Sequence, residues 1–359
     1  MKILIDISHP AHVHFFKNFM GRMEDKGHEI LVAAKDKDVA LQLLDRYGLP
    51  YNMVGKYRKN NLEKMVDMFN ISHRIYGLAR DFRPDILTGF GGLNAAHASV
   101  FLRKPCIVFS DSEVVNLTHR LIIPFVDAIC TPSSFTNRKL TKKQVIFNGY
   151  KELAYLHPSN FKPDPSVRDE LGLGENDKYV VMRFVAWQAS HDTGQHGLNI
   201  LMKRHLITAL EEYAQVFITS EGPLPAQFEK YRVRIAPDRM HDLLYYASLL
   251  VGDSQTMTTE AAVLGTPAVR CNSFVGHNDM GNFIELENKY DLIYSFREPD
   301  KAIRKAVELI QQPDLKEQWA KKRERLLDDK IDVTQFMVDF IEGYPESFYR
   351  YKEANGNRL

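Results

Sequence analysis

The stretch "LLVGDSQTMTTEAAVLGTPAV", Leu249 to Val269, decides the fold class. Leu249–Val251 is an apolar run of strand length, Gly252, Asp253 and Ser254 form a small polar cluster, and an alanine-rich helical run follows until Gly265-Thr266-Pro267 stops it. A strand that passes through a polar turn directly into a helix is the building step of an open parallel sheet. In such sheets ligands gather outside the carboxyl ends of the strands.

The first turn of that helix exposes N–H groups with no partner inside the helix, and Ser254, Gln255 and Thr256 are suited to cap it and face an anion. The helix dipole is worth about 0.3–1 kcal/mol there, whereas a charge-assisted hydrogen bond is worth roughly 1.5–3, so donors aimed at a phosphate set its affinity. Glu260 would repel a phosphate in the same spot but can accept hydrogen bonds from two ribose hydroxyls. An ordinary capped helix with a solvated Glu260 fits the same spacing.

The same alternation runs outward in both directions. "KILIDI" (Lys2–Ile7), "PDILTGFGG" (Pro84–Gly92), "PCIVFSDSE" (Pro105–Glu113) and "DAICTPS" (Asp127–Ser133) read as strands among amphipathic segments. A Pro-, Asp- and Ser-rich connection follows, and strands resume at "KYVVMRFVAW", "AQVFITSEGP" and "RVRIAP" (Arg232–Pro237). The chain therefore divides into a parallel-sheet domain over 1–155, a linker over 156–177, a second parallel-sheet domain over 178–330 and a closing helix within 331–359 that lies across both domains or caps the second. Its 359 residues exceed what one core organises, which agrees with two domains.

Hydrophobic residues make up 44% and charged residues 26%, the balance of a globular protein. A net charge of +1 supplies no global field toward nucleic acid or membrane. Cys106, Cys130 and Cys271 are widely spaced and form no CxxC pair, so neither a zinc site nor a disulfide framework is expected. The N-terminal apolar run is short for a signal peptide, and no run of about 18 apolar residues suggests a membrane span. The expected setting is the cytoplasm, with contact at the inner membrane face left open by the basic groups Lys56, Arg58, Lys59 and Lys64, and Arg138, Lys139, Lys142 and Lys143. No aromatic interleaving points to nucleic acid.

Several other residues invite chemistry. His12 and His14 sit about 200° apart on a helix, which disfavours joint metal ligation, while a histidine at a strand-to-helix turn suits a general base. Gly89, Gly91 and Gly92 permit close backbone approach, to a ligand or simply to a neighbouring element. Asp111 and Glu113 follow the next strand as acidic candidates or helix caps. Arg183 ends a strand where a planar, permanently charged fork suits a diphosphate. The loop Ser273–Asn282 offers His277, Asn278 and Asp279 for a sugar.

"GDSQTMTTEAAVLGTPAV" resembles the donor-binding stretch of GT-B-fold proteins, above all the non-hydrolysing UDP-N-acetylglucosamine 2-epimerases. Their pattern of Asp-Ser-Gly-Gly, a Glu six residues after the Ser, and Gly-x-Pro is matched at Asp253, Ser254, Glu260, Gly265 and Pro267, with Gln255 and Thr256 in place of the two glycines. "AHVHF" resembles the Gly-His-Val-Phe loop of the peptidoglycan UDP-N-acetylglucosamine transferase, which points at His12, and Gly89–Gly92 resembles that family's acceptor-side turn. The epimerases' Gly-Asp-Thr is absent: Gly89, Phe90 and Gly91 stand there. The order of motifs also resembles a GT-B-like bacterial and archaeal family known as a domain of unknown function.

These resemblances imply an α/β fold of GT-B type, two Rossmann-like domains facing a central cleft, with the second binding a nucleotide sugar through Arg183, Ser254, Gln255, Thr256, Glu260, His277 and Asn278. They imply a metal-independent glycosyltransferase with His12, Asp111 and Glu113 as catalytic candidates, a nucleotide-sugar (UDP) donor as substrate, a saccharide or lipid-linked acceptor, and no cofactor. A nucleotide-sugar 2-epimerase and a non-catalytic nucleotide-sugar binder are the alternatives.

Overall fold

The computed structural model describes residues 1–359 except 57–60, 114–115, 136–139, 186–196, 221, 277–278 and 355–359, and describes 61–66, 68, 116 and 117 by their backbone alone. The chain forms two compact units, Met1–Asn160 together with Ile331–Leu359, and Phe161–Lys330.

The first unit holds seven parallel strands: β1 Lys2–Ile7, β2 Glu29–Asp36, β3 Asn52–Lys56, β4 Ile86–Phe90, β5 Cys106–Phe109, β6 Ala128–Pro132 and β7 Gln144–Phe147. They lie in the order β3-β2-β1-β4-β5-β6-β7. Ile3, Leu4, Ile5 and Ile7 are all fully buried, so β1 is apolar on both faces, as a strand covered by helices on both sides must be. The second unit holds β8 Tyr179–Phe184, β9 Gln215–Ser220, β10 Leu249–Gly252, β11 Ala268–Cys271 and β12 Ile293–Phe296, ordered β12-β11-β10-β8-β9 and again parallel.

Each order contains one reversal, where neighbouring strands send their following helices to opposite faces and leave a crevice at the carboxyl edge. In the first unit it lies between β1 and β4, and in the second between β8 and β10. The histidine loop follows β1 and the glycine turn ends β4. Arg183 lies one residue before the end of β8 and the Gly252 turn ends β10.

The Leu249–Val269 stretch folds as its pattern dictates. β10 is followed by the helix Gln255–Leu264, and Gly265 closes that helix at φ +77°. Its N–H donates to Ala262 O and that of Thr266 to Ala261 O, which satisfies two terminal carbonyls before Pro267 leads into β11. "RVRIAP" departs from expectation. It makes one bridge, Arg232 to Ile218 beside β9, and Pro237 then opens a short 3-10 turn, since proline cannot donate to a sheet ladder.

The passage between units falls at Asn160–Phe161, and the region read as a linker also carries a short helix, Ser166–Glu170. Residues 331–354 belong to the first unit, not to the second as a cap, because their apolar face packs on β7, and they form two helices, Val333–Glu342 and Glu346–Ala354, rather than one. The apolar face read at Phe336, Met337, Phe340 and Ile341 is buried there, with the Phe336 ring stacked on Phe147 at 5.0 Å. Asp332, beside the returning crossing, accepts from Ser159 Oγ at 2.8 Å, Asn160 Nδ2 at 2.9 Å and Arg22 Nη2 at 2.9 Å. One carboxylate thus holds both chain crossings to the helix Pro10–Asp25.

Candidate functional site

In the second unit the strands β8 and β10 approach so closely that a Cβ on Gly252 would lie 2.1 Å from the Arg183 carbonyl oxygen. Glycine is therefore required at the strand end itself. Asp253 is buried, accepts the Val185 N–H at Oδ1 (2.8 Å), and receives Asn272 Nδ2 at its carbonyl (3.1 Å). It ties together the ends of β8, β10 and β11 rather than facing a ligand.

Ser254 caps the following helix, its Oγ accepting from Met257 N at 3.4 Å. Its Oγ accepts at the cap and the residue is buried, whereas Gln255 and Thr256 in the first turn stay partly exposed. Arg183 is half-buried and donates from Nη1 to Thr219 Oγ1 at 2.8 Å.

Glu260 is not a solvated surface residue. It is 5% exposed and accepts from His241 Nε2 at 3.2 Å, itself buried in the helix Met240–Tyr246. A buried carboxylate needs such a partner. His277 and Asn278 lie outside the described residues. Asp279, in the same loop, is engaged by Arg270: the guanidinium reaches both carboxylate oxygens, is fully buried, and lies 3.7 Å from the Phe283 ring centroid. That pair anchors the loop to β11 and occupies Asp279, so this residue is not open to a donor sugar.

In the first unit His9 caps the helix Pro10–Asp25, its Nδ1 accepting from Ala11 N at 3.1 Å, with Pro10 at the position where a missing N–H costs nothing. His12 lies in the first turn. Its Nδ1 faces the Ser8 N–H at 3.4 Å and Ser8 Oγ at 3.5 Å, and its ring centroid is 5.3 Å from that of Phe90. Burial, then the cations of Lys151 and Lys37, push its pKa down to about 3. The ring keeps partial exposure, and it is neutral at physiological pH with its lone pair on the Ser8 side.

His14 is buried elsewhere on the helix, hydrogen-bonded to the Tyr47 hydroxyl at 3.2 Å and packed on Tyr155. Asp111 accepts from Lys151 Nζ at 2.6 Å, and that ammonium lies 5.7 Å from the Phe90 ring. His12, Phe90, Asp111 and Lys151 thus share one region at the carboxyl edge. Glu113 is buried two residues further on.

The glycine turn is shaped first by packing. A Cβ on Gly89 would lie 2.9 Å from Gly92 Cα and 3.1 Å from Asp6 O, and one on Gly92 would lie 2.7 Å from Val108 Cγ1. Gly91 adopts φ +69° with open space around it. The turn delivers the helix Leu93–Leu102 onto Asp6, which accepts the N–H groups of Ala95 and Asn94 and, at 3.4 Å, Asn94 Nδ2. Burial nevertheless pushes the Asp6 carboxyl up to about 6.

Asp6, Lys151, His241 and Arg270 carry much of this geometry and were missed in sequence. Asp6 had a signal: a lone acid inside an otherwise apolar strand. Among the described residues no group of three or more His, Cys, Asp or Glu is placed to hold a metal ion, and all three cysteines are free and buried.

Two parallel-sheet α/β domains with these strand-end turns define a protein of GT-B fold. Residues 1–344 match the family described as "Protein of unknown function (DUF354)", and the chain belongs to that family. It is 24% identical over 286 residues to an uncharacterized protein of Methanocaldococcus jannaschii, covering 76% of this chain and 82% of the relative. It is 23% identical over 283 residues to the UDP-N-acetylglucosamine–N-acetylmuramyl-(pentapeptide) pyrophosphoryl-undecaprenol N-acetylglucosamine transferase of Lactobacillus gasseri, covering 72% and 74%.

Among solved structures it resembles S. aureus MnaA with UDP (TM-score 0.68, 12% identity, 96% and 97% covered). It also resembles the UDP-GlcNAc 2-epimerase of Neisseria meningitidis bound to UDP-GlcNAc (0.65, 12%, 95% and 100%) and the MurG protein of Acinetobacter baumannii (0.58, 15%, 95% and 99%). At these identities the likeness establishes the fold, and the neighbours include both glycosyltransferases and epimerases.

Proposed function

We propose that the protein is a glycosyltransferase that takes a sugar from a nucleotide diphosphate donor, UDP-linked, and passes it to a saccharide or lipid-linked acceptor hydroxyl of the cell envelope or an exported polysaccharide. The observation that carries this reading is the meeting, at the β8/β10 reversal, of a glycine-tight strand end with a helix whose first-turn residues Gln255 and Thr256 remain partly exposed. The diphosphate accepts from that first turn, with Arg183 beside it on β8 as the cationic partner, and Glu260 serves the ribose.

In the reaction the bond from the anomeric carbon to the phosphate oxygen breaks and its electron pair leaves with the nucleoside diphosphate. The acceptor oxygen forms the new bond and gives up its proton to His12. The ring's single available lone pair, on Nδ1, takes the Ser8 N–H at 3.4 Å in this structure, so the acceptor hydroxyl must displace that contact to give its proton to Nδ1. A pKa of about 3 makes His12 a weak base in the free chain. Asp111 and Lys151 frame that pocket and orient the acceptor. The nucleotide sugar is a substrate, and no metal or further cofactor enters these steps.

The likeness to epimerases bound to UDP-GlcNAc favours a second reading, 2-epimerisation, against which the missing Gly-Asp-Thr counts. Incubation with UDP-N-acetylglucosamine alone separates the two. Epimer formation without acceptor refutes transfer. Sugar incorporation into an acceptor extract with UDP release supports it, and nucleotide binding with neither product leaves a non-catalytic binder.

A further inference from the structure

Glu260 stands on the helix Gln255–Leu264 one turn after Thr256, and residues four apart share a helix face. A helical side chain leans back over the turn that precedes it, which carries the Glu260 carboxylate toward the first turn. Thr256 there is partly exposed, while Glu260 is buried. A glutamate has three rotatable bonds, and its carboxylate meets two hydroxyls of one ring only if those bonds are fixed.

His241 supplies the fixing contact. Its Nε2 lies 3.2 Å from Glu260 Oε1, and since a carboxylate accepts, the imidazole is the donor. His241 is itself buried, and the residues on both sides of it are anchored. Arg239 pairs with Asp164 at 2.7 Å and with Glu170 at 3.0 Å. Asp242 takes the same guanidinium at 2.9 Å and accepts the Asp164 N–H at 2.8 Å. The Phe161 ring stands at 84° to the imidazole with centroids 6.2 Å apart. The start of the helix Met240–Tyr246 is thus tied to the segment 164–170, and the imidazole holds its place while the glutamate side chain is the flexible partner.

A buried histidine beside a buried glutamate satisfies the carboxylate and joins two helices whatever else it does. The choice of donor adds to this. A guanidinium can occupy both carboxylate oxygens, as Arg270 does on Asp279, whereas an imidazole nitrogen donates to one. A carboxylate has about four lone-pair sites, so one that takes an imidazole N–H at Oε1 can also take two ribose hydroxyls.

We infer that His241 is a positioning residue for the nucleoside: by holding Oε1 it turns the Glu260 carboxylate toward the ribose and sets a preference for a ribonucleotide over a 2′-deoxyribonucleotide. This role rests on the reading of Glu260 as the ribose ligand. His241 acts through Glu260 and touches no reacting atom.

The test is calorimetric titration of the full chain with UDP and with 2′-deoxy-UDP, in the wild type, in His241→Leu, which lacks the donor, and in His241→Gln, which restores an N–H. The wild type is expected to bind UDP at least about tenfold more tightly than the deoxy analogue, the effect of one charge-assisted hydrogen bond. His241→Leu is expected to bring that ratio below about threefold, and His241→Gln to recover most of it. A histidine that only supports the fold lowers both affinities together and leaves the ratio alone. Because His241→Leu strands a buried carboxylate and puts the fold at risk, the wild type carries a second readout: the 15N resonances of the His241 imidazole should move further on saturation with UDP than with 2′-deoxy-UDP. A wild type that binds UDP and 2′-deoxy-UDP equally takes the ribose away from Glu260, and the inference falls with that reading. A wild type that discriminates, beside a folded His241→Leu that discriminates as well, overturns the inference alone, as do equal imidazole shifts with the two nucleotides.

Discussion

Gly252→Ala is the most demanding perturbation of the second unit. The added methyl would sit 2.1 Å from Arg183 O and 3.0 Å from the carbonyl carbon and amide nitrogen of the same residue. All three are backbone atoms, so no side chain can swing away. β8 and β10 must part, which weakens the Asp253 N–H bond to Arg183 O, already 3.2 Å. Overpacking of this kind costs roughly 1–3 kcal/mol and a lost hydrogen bond about 0.5–1.5, so a loss of about 2–4 kcal/mol is expected. Urea denaturation followed by a probe in each unit measures it, with the first unit as internal reference because two units need not unfold together. Gly21→Ala is the control. That glycine lies inside the helix Pro10–Asp25 with nothing within 4 Å of its Cβ, so alanine there should stabilise by about 0.5–1 kcal/mol. A Gly252→Ala protein within experimental error of wild type, binding UDP undiminished, would refute the reasoning.

Four further outcomes follow from the same geometry. His12→Gln should lower turnover by roughly 10²–10⁴ while leaving UDP affinity unchanged, read by steady-state kinetics and calorimetry. Lys151→Met removes a cation that lowers His12, so the imidazole pKa, followed by NMR, should rise; an unchanged value would remove Lys151 from the account. The Asp6 carboxyl titrates at about 6 when folded against an ordinary 3.8, so between those values the folded chain holds a proton the unfolded chain has lost and stability falls as pH rises. The advantage of Asp6→Asn over wild type should therefore grow by about 2 kcal/mol from pH 4 to pH 7 in denaturation curves. For Asp332, burial alone would raise the carboxyl, but donations from Ser159, Asn160 and Arg22 hold it below its ordinary 3.8. Its contribution is present above that value and lost as pH falls through the folded one, so Asp332→Ala should cost about 2–4 kcal/mol at pH 7 and progressively less below pH 4.

What could be read in advance was local. Gly252, Ser254, Gly265 and Pro267 announce a strand, a cap and a stop within one short stretch, and each took the conformation its chemistry requires. The alternation of strands and helices was legible for the same reason, since burial on both faces forces apolar runs. Pairings across the chain were not. Nothing near Glu260 hints at His241, 19 residues away, nor does Asp332 betray its hold on Ser159 and Asn160, more than 170 residues back. "RVRIAP" misled because alternating residues suggest a strand, yet it makes a single bridge to β9, Arg232 beside Ile218 with the Val233 N–H donating to Ile218 O, before Pro237 ends the possibility. The glycine turn was read as close approach to a ligand or to a neighbouring element, and two of its three glycines have neighbouring protein atoms of that kind, at Asp6 and Val108.

The central claim is that a nucleoside diphosphate is gripped where the helix Gln255–Leu264 begins. A crystal structure of the protein with UDP tests it most directly: phosphate oxygens should lie within about 2.7–3.2 Å of the Gln255 or Thr256 N–H, with Arg183 alongside. UDP seated elsewhere, its phosphates away from that turn, would contradict the account.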